Sequence, residues 1–290
     1  MIFTSILNGL ITGTIYGLVA LGLVLVYKGA RVFNFAQGEF GTVAVFVAWI
    51  LHTEPPGLPM LVALLLGLAA ATLMGLLVER VVVRPLSQKP RVILLVATAG
   101  VAVGSIYLQL LLGEAEARVL PRLGGDRVFF VLNAALIWQN IIMILALVVI
   151  GVALYLFFSR TALGLAVLAS SQDNLASQLS GVSTRRVSSL VWGLAAFLGG
   201  MAGLLQAPLS VFTPGFMTTT VLFPAFTGAV LGGMTSLPGA FVGGLGVGVL
   251  SQLGADYIPE TIPGGRELVL FALLLLVLSV RPQGLLGKEA

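Results

Sequence analysis

One short stretch of an otherwise apolar chain holds groups able to do chemistry. Between Lys28 and Phe40 the text reads KGARVFNFAQGEF, and it sets Asn34, Gln37, Gly38 and Glu39 close together. Such polar groups at membrane depth are tolerated only where protein or water covers them. Glu39 therefore has two readings. It lines a solute path, or it sits in the first turn of the next helix, where the dipole favours an anion. The apolar run from Gly41 to Leu51 that follows is too short to span a bilayer alone, so it reads as a half-helix or as a helix entered part-way through the membrane. A second interrupted stretch runs from Phe223 to Gly248 and contains Thr227, Gly232, Gly233, Pro238 and Gly239. Short Gly/Pro-broken segments in two parts of a membrane protein point to a substrate path between them.

Other chemistries are excluded or poorly supplied. There is no cysteine, hence no thiolate nucleophile and no cysteine–zinc site. The single histidine, His52, gives little scope for acid–base catalysis or a paired metal site, and is expected at the outer membrane interface. No phosphate-binding G-x-x-x-x-G-K-[ST] occurs, since Gly287-Lys288 is followed by Glu289. No G-x-S-x-G is present. Few charges fall within apolar runs, so a proton relay or sodium-coupled site has little material. The net charge of +4 comes from basic residues at helix ends and is no nucleic-acid footprint.

The elements that must position these groups are membrane helices. Of 290 residues, 58% are hydrophobic and 9% charged, against about 25% charged in soluble domains. The apolar residues come in runs of roughly 20, the length of a crossing helix; barrel strands would alternate instead. The first 27 residues carry no charged side chain, so a cleaved signal peptide is not expected. Gly9, Gly13 and Gly17 share a helical face, which suits close helix packing, with a glycine-lined path as the second reading. Further spans are expected near 58–80, 92–112, 136–158, 187–208, 216–234, 238–254 and 265–281. With 3–27 and the short 39–52 segment, the prediction is an all-α polytopic membrane bundle. It has eight full spans and one short or broken helix, in a single domain over 1–290. Alternating the sides puts Lys28, Arg31, Arg80, Arg84, Lys89, Arg91, Arg160, Arg185, Arg186, Arg281 and Lys288 together. Arg118, Arg122, Arg127 and Arg266 lie opposite. The positive-inside rule then puts the N-terminus outside and the C-terminus in the cytoplasm. The external turn from Pro208 to Thr220, with its Thr218-Thr219-Thr220 run, is part of an outer gate or a plain connector.

The longest cytoplasmic insert is 159–186. Leu163, Ala166 and Val167, then Leu175 and Leu179, have helical spacing, Asp173 and Asn174 supply a break or cap, and Gly181 a stop. It is a docking surface or a solvated connector. A polytopic chain with no energy source of its own but an organised cytoplasmic loop suggests transport driven by a separate subunit.

Four stretches resemble the permease subunits of branched-chain amino acid ABC importers, in particular the smaller, first-listed permease type. They are Asn34-Phe35-Ala36-Gln37-Gly38-Glu39 after Gly22-Leu23-Val24-Leu25; the spacing of Ala169, Asp173, Ala176 and Gly181; Ala229-Val230-Leu231-Gly232-Gly233 with Ser236-Leu237-Pro238-Gly239-Ala240; and Arg281-Pro282-Gln283-Gly284-Leu285-Leu286-Gly287. The resemblance implies a translocation subunit in the bacterial inner membrane, not an enzyme. It implies a second permease chain, the same or different, two ABC ATPases that carry ATP and magnesium, and a periplasmic substrate-binding protein. This chain itself would need no cofactor, metal or nucleic acid. ATPase coupling would fall on Gly164, Leu165, Leu168, Ala169, Asp173, Ala176 and Gly181. The family's loop carries arginines near the glycine, where Leu165 and Leu168 stand here. The alternatives are the same architecture importing urea, short amides or other small solutes, and, from another class, a stand-alone secondary transporter or channel.

Overall fold

Residues 3–27 have no polar face to offer water, and a helix apolar all round belongs inside a bundle or in lipid. In the computed structural model, which describes residues 2–55, 57–113, 115–125, 127–131, 134–258, 264–281 and 283–287, helix α1 (Ile2–Ala30) takes the central place. Every residue from Gly13 to Val26 is buried. Its most extensive partner is α12 (Leu237–Tyr257). A Cβ on Gly9 would lie 2.6 Å from Val249 Cα, and one on Gly13 2.8 Å from Leu245 Cα, so the two backbones touch. Gly244 and Gly248 answer from α12, lying against Gly17 and Gly13. The glycines of α1 therefore serve helix packing, the contact by which membrane helices associate where no hydrophobic drive separates them from lipid.

Around α1 stand α2 (Gln37–Thr53), α9 (Thr184–Gln206) and α11 (Leu222–Gly232), with α3 (Met60–Val78) packed on α2 and α9. Helix α3 runs through a π-helical turn, Glu79–Val83, into the single turn α4 (Arg84–Leu86). Outside lie α5 (Arg91–Gly113), α6 (Trp138–Arg160) and α13 (Gly265–Val280). These expose Val96, Val103 and Leu111, then Leu145, Val149 and Val152, then Phe271 and Leu276. An outward apolar face of this extent fits a lipid surround.

Two expectations are corrected. Six helices among the described residues are long and apolar enough to cross a membrane, not eight. The run 216–234 is not one span but α10 (Phe216–Thr220) and α11, jointed at a turn at Val221. Helix α13 has 16 residues, short of the full-span length. The fold is also mostly helical rather than all-α. Val128–Val131 (β1) and Ala134–Ile137 (β2) pair antiparallel, Val128 opposite Ile137, in the segment before α6. That segment is rich in β-branched and aromatic residues, which fit a pleated ribbon. Leu136 and Ile137, expected in the span 136–158, are strand residues, and α6 begins at Trp138.

The 159–186 insert forms α7 (Ala162–Gln172) and α8 (Asn174–Leu179). Thr161 caps α7 by accepting from Gly164 N at 3.0 Å, and Asp173 ends α7 and caps α8 by accepting from Ala176 N at 2.9 Å. Cross-links then gather the cations at one end of the bundle. Lys28 Nζ donates to Thr235 O at 3.0 Å, and Arg31 reaches the 159–186 insert. At the opposite end Arg118 and Phe212 exchange backbone bonds of 3.0 and 2.9 Å, and the Arg118 guanidinium stacks 4.1 Å over Trp49. His52 is at that end too, its Nδ1 3.0 Å from Leu58 O. Pro282 and Lys288 fall outside the described residues.

Candidate functional site

Helix α2 starts inside the bundle. Its first residue, Gln37, donates through Nε2 to Ala195 O at 2.8 Å. Ala195 lies roughly 16 Å along α9 from its first residue at ~1.5 Å per residue, about mid-depth in a hydrocarbon core of ~30 Å. The chain from Arg31 to Ala36 therefore enters from the basic end and turns into helix at depth. Its polar backbone is satisfied locally. Asn34 Oδ1 accepts from Ala36 N at 3.0 Å, and Asn34 Nδ2 donates to Gln37 Oε1 at 3.2 Å. The Thr98 hydroxyl accepts from Phe35 N at 3.3 Å.

Glu39 stands in the first turn of α2 with no exposed surface. Thr218 Oγ1 donates to one carboxylate oxygen at 2.6 Å, and Gln109 Nε2 donates to the other at 2.6 Å. Gln109 also lies 3.0 Å from Ser105 Oγ and, through Oε1, accepts from Gly215 N at 3.2 Å. Gly215 adopts φ 75°, a left-handed turn that suits glycine, just before α10. Gly38 permits the approach of α10: a Cβ there would lie 2.7 Å from Thr218 Cα. Thr42 adds a further tie by accepting from Met217 N at 3.4 Å. One carboxylate thus joins three segments, α2, α5 and α10. Both its oxygens are engaged, and any shift of α5 or α10 against α2 must break a hydrogen bond.

The other path candidates lie elsewhere. Gly232 ends α11, Gly233 follows it and Gly239 stands with Pro238 in the first turn of α12; the three glycines are buried and Pro238 is exposed. Gly233 has φ 106°, and a Cβ on it would lie 2.5 Å from Gly287 N. The C-terminal segment seals this turn, with Leu285 N on Leu231 O at 2.8 Å and Leu286 N on Gly232 O at 3.1 Å. Thr227 is buried and bonds its own helix at Phe223 O.

The coupling candidates divide by face. Gly164 is buried where α7 turns back on the end of α6, and Val167 is buried beneath it. Leu168 is half-buried, whereas Leu165, Ala169, Asp173, Ala176 and Gly181 are exposed. With them Leu163, Leu175 and Leu179 are 57%, 69% and 83% exposed, an apolar surface with nothing packed on it in the chain. Gly181 has φ 84° and ends α8.

Sequence reading missed Ser105, Gln109 and the buried Glu79. Gln109 was findable as the only amide in the apolar run of α5. Glu79 is 1% exposed, paired at 2.7 Å with Arg84, and both bond Ser189 on α9. Thr218 was placed in the external turn, but its hydroxyl points inward to Glu39. No group of metal-ligating residues occurs among the described residues.

Comparison with known proteins follows the same outline. The family model described as branched-chain amino acid transport system, permease component, matches residues 5–278. The chain is 33% identical to the high-affinity branched-chain amino acid transport system permease protein BraD of Pseudomonas aeruginosa, over 98% of this chain and 95% of that one. It is 31% identical to the LivH permease protein of the corresponding system of Escherichia coli, over 97% and 94%. In fold it is similar to a solved structure of PsaBC from Streptococcus pneumoniae in complex with Fab, with TM-score 0.52 and 13% identity over 95% of this chain and 91% of that one. Six helices long and apolar enough to cross a membrane, a glycine-packed central helix and full-length similarity agree: the chain is a multi-pass membrane protein and belongs to the family of branched-chain amino acid transport permease components, translocation subunits rather than enzymes.

Proposed function

We propose that this chain is the membrane-spanning subunit of an ATP-driven importer of branched-chain amino acids or related solutes in a bacterial inner membrane. One observation carries the reading. The α7–α8 surface is exposed and apolar, yet it is tied to the segment that leads into the Glu39 group. A transporter needs such a surface if its energy comes from outside. Two ABC ATPases, holding ATP and magnesium, would dock there. A second permease chain would complete the path, and a binding protein on the other side would supply selectivity. Motion entering at α7 would reach α2 and strain the bonds of Glu39 to Thr218 and Gln109. Coupling of this kind needs contacts that differ between two states.

The experiment reconstitutes the chain in vesicles with its ATPase and binding protein. Ala169→Glu with Ala176→Glu is expected to abolish ATPase association, or substrate-stimulated hydrolysis, while membrane insertion stays normal. Full coupling in that variant would leave α7–α8 as a connector. Substrate identity rests on the binding protein: exchanging it should change the imported solute more than any span substitution does. A stand-alone channel or secondary transporter is less supported, because its one candidate ion site, Glu39, has both oxygens engaged.

A further inference from the structure

We infer that the groove between α3–α4 and α9 is a binding site for one anionic phospholipid, in the leaflet at the basic end of the bundle. The groove has a volume of about 520 Å³. Its inner part is apolar, walled by Leu76, Leu190, Leu194 and Phe197, and Gly193 gives it depth. A Cβ on Gly193 would already lie 3.1 Å from Leu76 Cδ2. Its mouth is ringed by Arg84, Arg185 and Arg186. Arg84 is neutralised by Glu79. Arg185 and Arg186 are exposed and, among the described residues, make no ion pair. The mouth therefore carries two uncompensated positive charges above an apolar trough.

The dimensions suit one acyl chain. Arg186, Leu190, Gly193 and Phe197 follow one face of α9 at helical spacing. From Arg186 to Phe197 the helix advances roughly 16 Å, half of the ~30 Å hydrocarbon core. A phosphodiester between the two guanidiniums would lay its acyl chain along that trough and end it near the bilayer centre. Basic pockets between helices at a membrane surface bind anionic head groups in this way. A neighbouring transmembrane helix fits less well, because it would cover two unpaired guanidiniums with apolar surface. An ATPase approaching from the aqueous side would not fill a trough that runs into the membrane.

The test compares lipid retention on the full purified chain by native mass spectrometry. Phosphatidylglycerol and phosphatidylcholine with the same acyl chains are supplied in equal amounts. Wild type is expected to retain phosphatidylglycerol by a roughly 30-fold preference, the scale for two arginines near an anionic surface. Arg185→Gln with Arg186→Gln should abolish the preference, and the paired lysine variant should keep most of it. Leu194→Trp, which fills the trough from its half-exposed wall, should lower retention of both lipids with the arginines intact. Each variant is first shown to be monodisperse and to melt as wild type does. Equal retention of the two lipids, or an unchanged preference in the glutamine variant, overturns the inference. Displacement by glycerol phosphate alone would show a mere anion site and overturn it too. So would cross-linking of Leu194→Cys to a neighbouring permease chain in the assembled complex, since protein would then fill the groove.

Discussion

The guanidinium of Arg31 donates to the carbonyl of Ser171 across 3.0 Å, joining the loop before α2 to the last turn of α7. Arg31 does so from a left-handed backbone, φ 53°, the only such non-glycine among the described residues. An L-residue held there costs about 1–2 kcal/mol, so the surrounding structure over-determines it. Strain of this kind concentrates at switching segments. Arg31→Gly relieves the backbone and removes the bond. Thermal stability in detergent should stay within about 1 kcal/mol of wild type. Uptake per ATP hydrolysed should fall about tenfold, the factor of one charge-assisted bond. An unchanged ratio would deny Arg31 any part in coupling.

The Glu39 group separates charge from shape. In Glu39→Gln the new amide can keep its oxygen toward Gln109 Nε2 and donate to Thr218 Oγ1. Folded yield should therefore match wild type, and uptake should drop if the charge serves transport. Glu39→Leu removes the acceptor of one Gln109 amide hydrogen, the other staying on Ser105 Oγ, and of the Thr218 hydroxyl, at about 1–3 kcal/mol each, and should reduce yield. Normal uptake in Glu39→Gln would make the group purely structural.

Asn34→Leu is expected to lower folded yield on its own. It removes the acceptor for Ala36 N and the donor to Gln37 Oε1 in a turn buried from solvent. Fluorescence-detected gel filtration of the solubilised membrane reads the outcome. Wild-type yield would mean that the turn at the start of α2 is held by Gln37 and Thr98 alone.

Glycine substitutions should split by position. Gly13→Ala forces apart α1 and α12 and should cost about 1–3 kcal/mol, as overpacking does. Gly100 and Gly104 in α5 have open space where a Cβ would go. Alanine there should be neutral or stabilise by up to ~1 kcal/mol, the helix-propensity difference. Melting of the purified variants decides it, and equal effects at Gly13 and Gly100 would contradict the packing described.

Orientation can be read with single cysteines, because the chain has none of its own. Ser171→Cys should be shielded from an impermeant thiol reagent in intact cells, and Ala117→Cys should react. The reverse pattern would invert the bundle.

Membrane character was plain from composition, and the grouping of Asn34, Gln37 and Glu39 marked the turn into α2. The glycines of α1 also announced a close partner, though not that α12 supplies it. Contacts between distant segments stayed hidden. Nothing in the text around Glu39 names Gln109 or Thr218, which lie 70 and 179 positions away. The joint at Val221 escaped because it has no glycine or proline of its own; Gly215 and Pro224 flank it instead. The hairpin before α6 escaped because Leu136 and Ile137 were read as the start of the span 136–158 rather than with the β-branched and aromatic residues before them. Glu79 was counted as the end of a span, and only α9 shows that it is covered.

The central place of α1 also has a consequence for how the chain is made. Helix α1 ends up the most enclosed of the six long apolar helices, and its main neighbour, α12, is synthesised more than 200 residues later. Through that interval Gly9, Gly13 and Gly17 face lipid. Ile2–Ala30 carries no charged side chain before Lys28, and the Thr14 hydroxyl bonds its own helix at Leu10 O, so it can wait there in lipid. The α1–α12 contact is thus among the most non-local in the fold, and contacts of that kind form late. Until α12 arrives, the nascent chain holds an unfilled glycine seam. A ribosome stalled before Leu237 would leave a membrane intermediate with its hub uncovered, a natural substrate for membrane quality control.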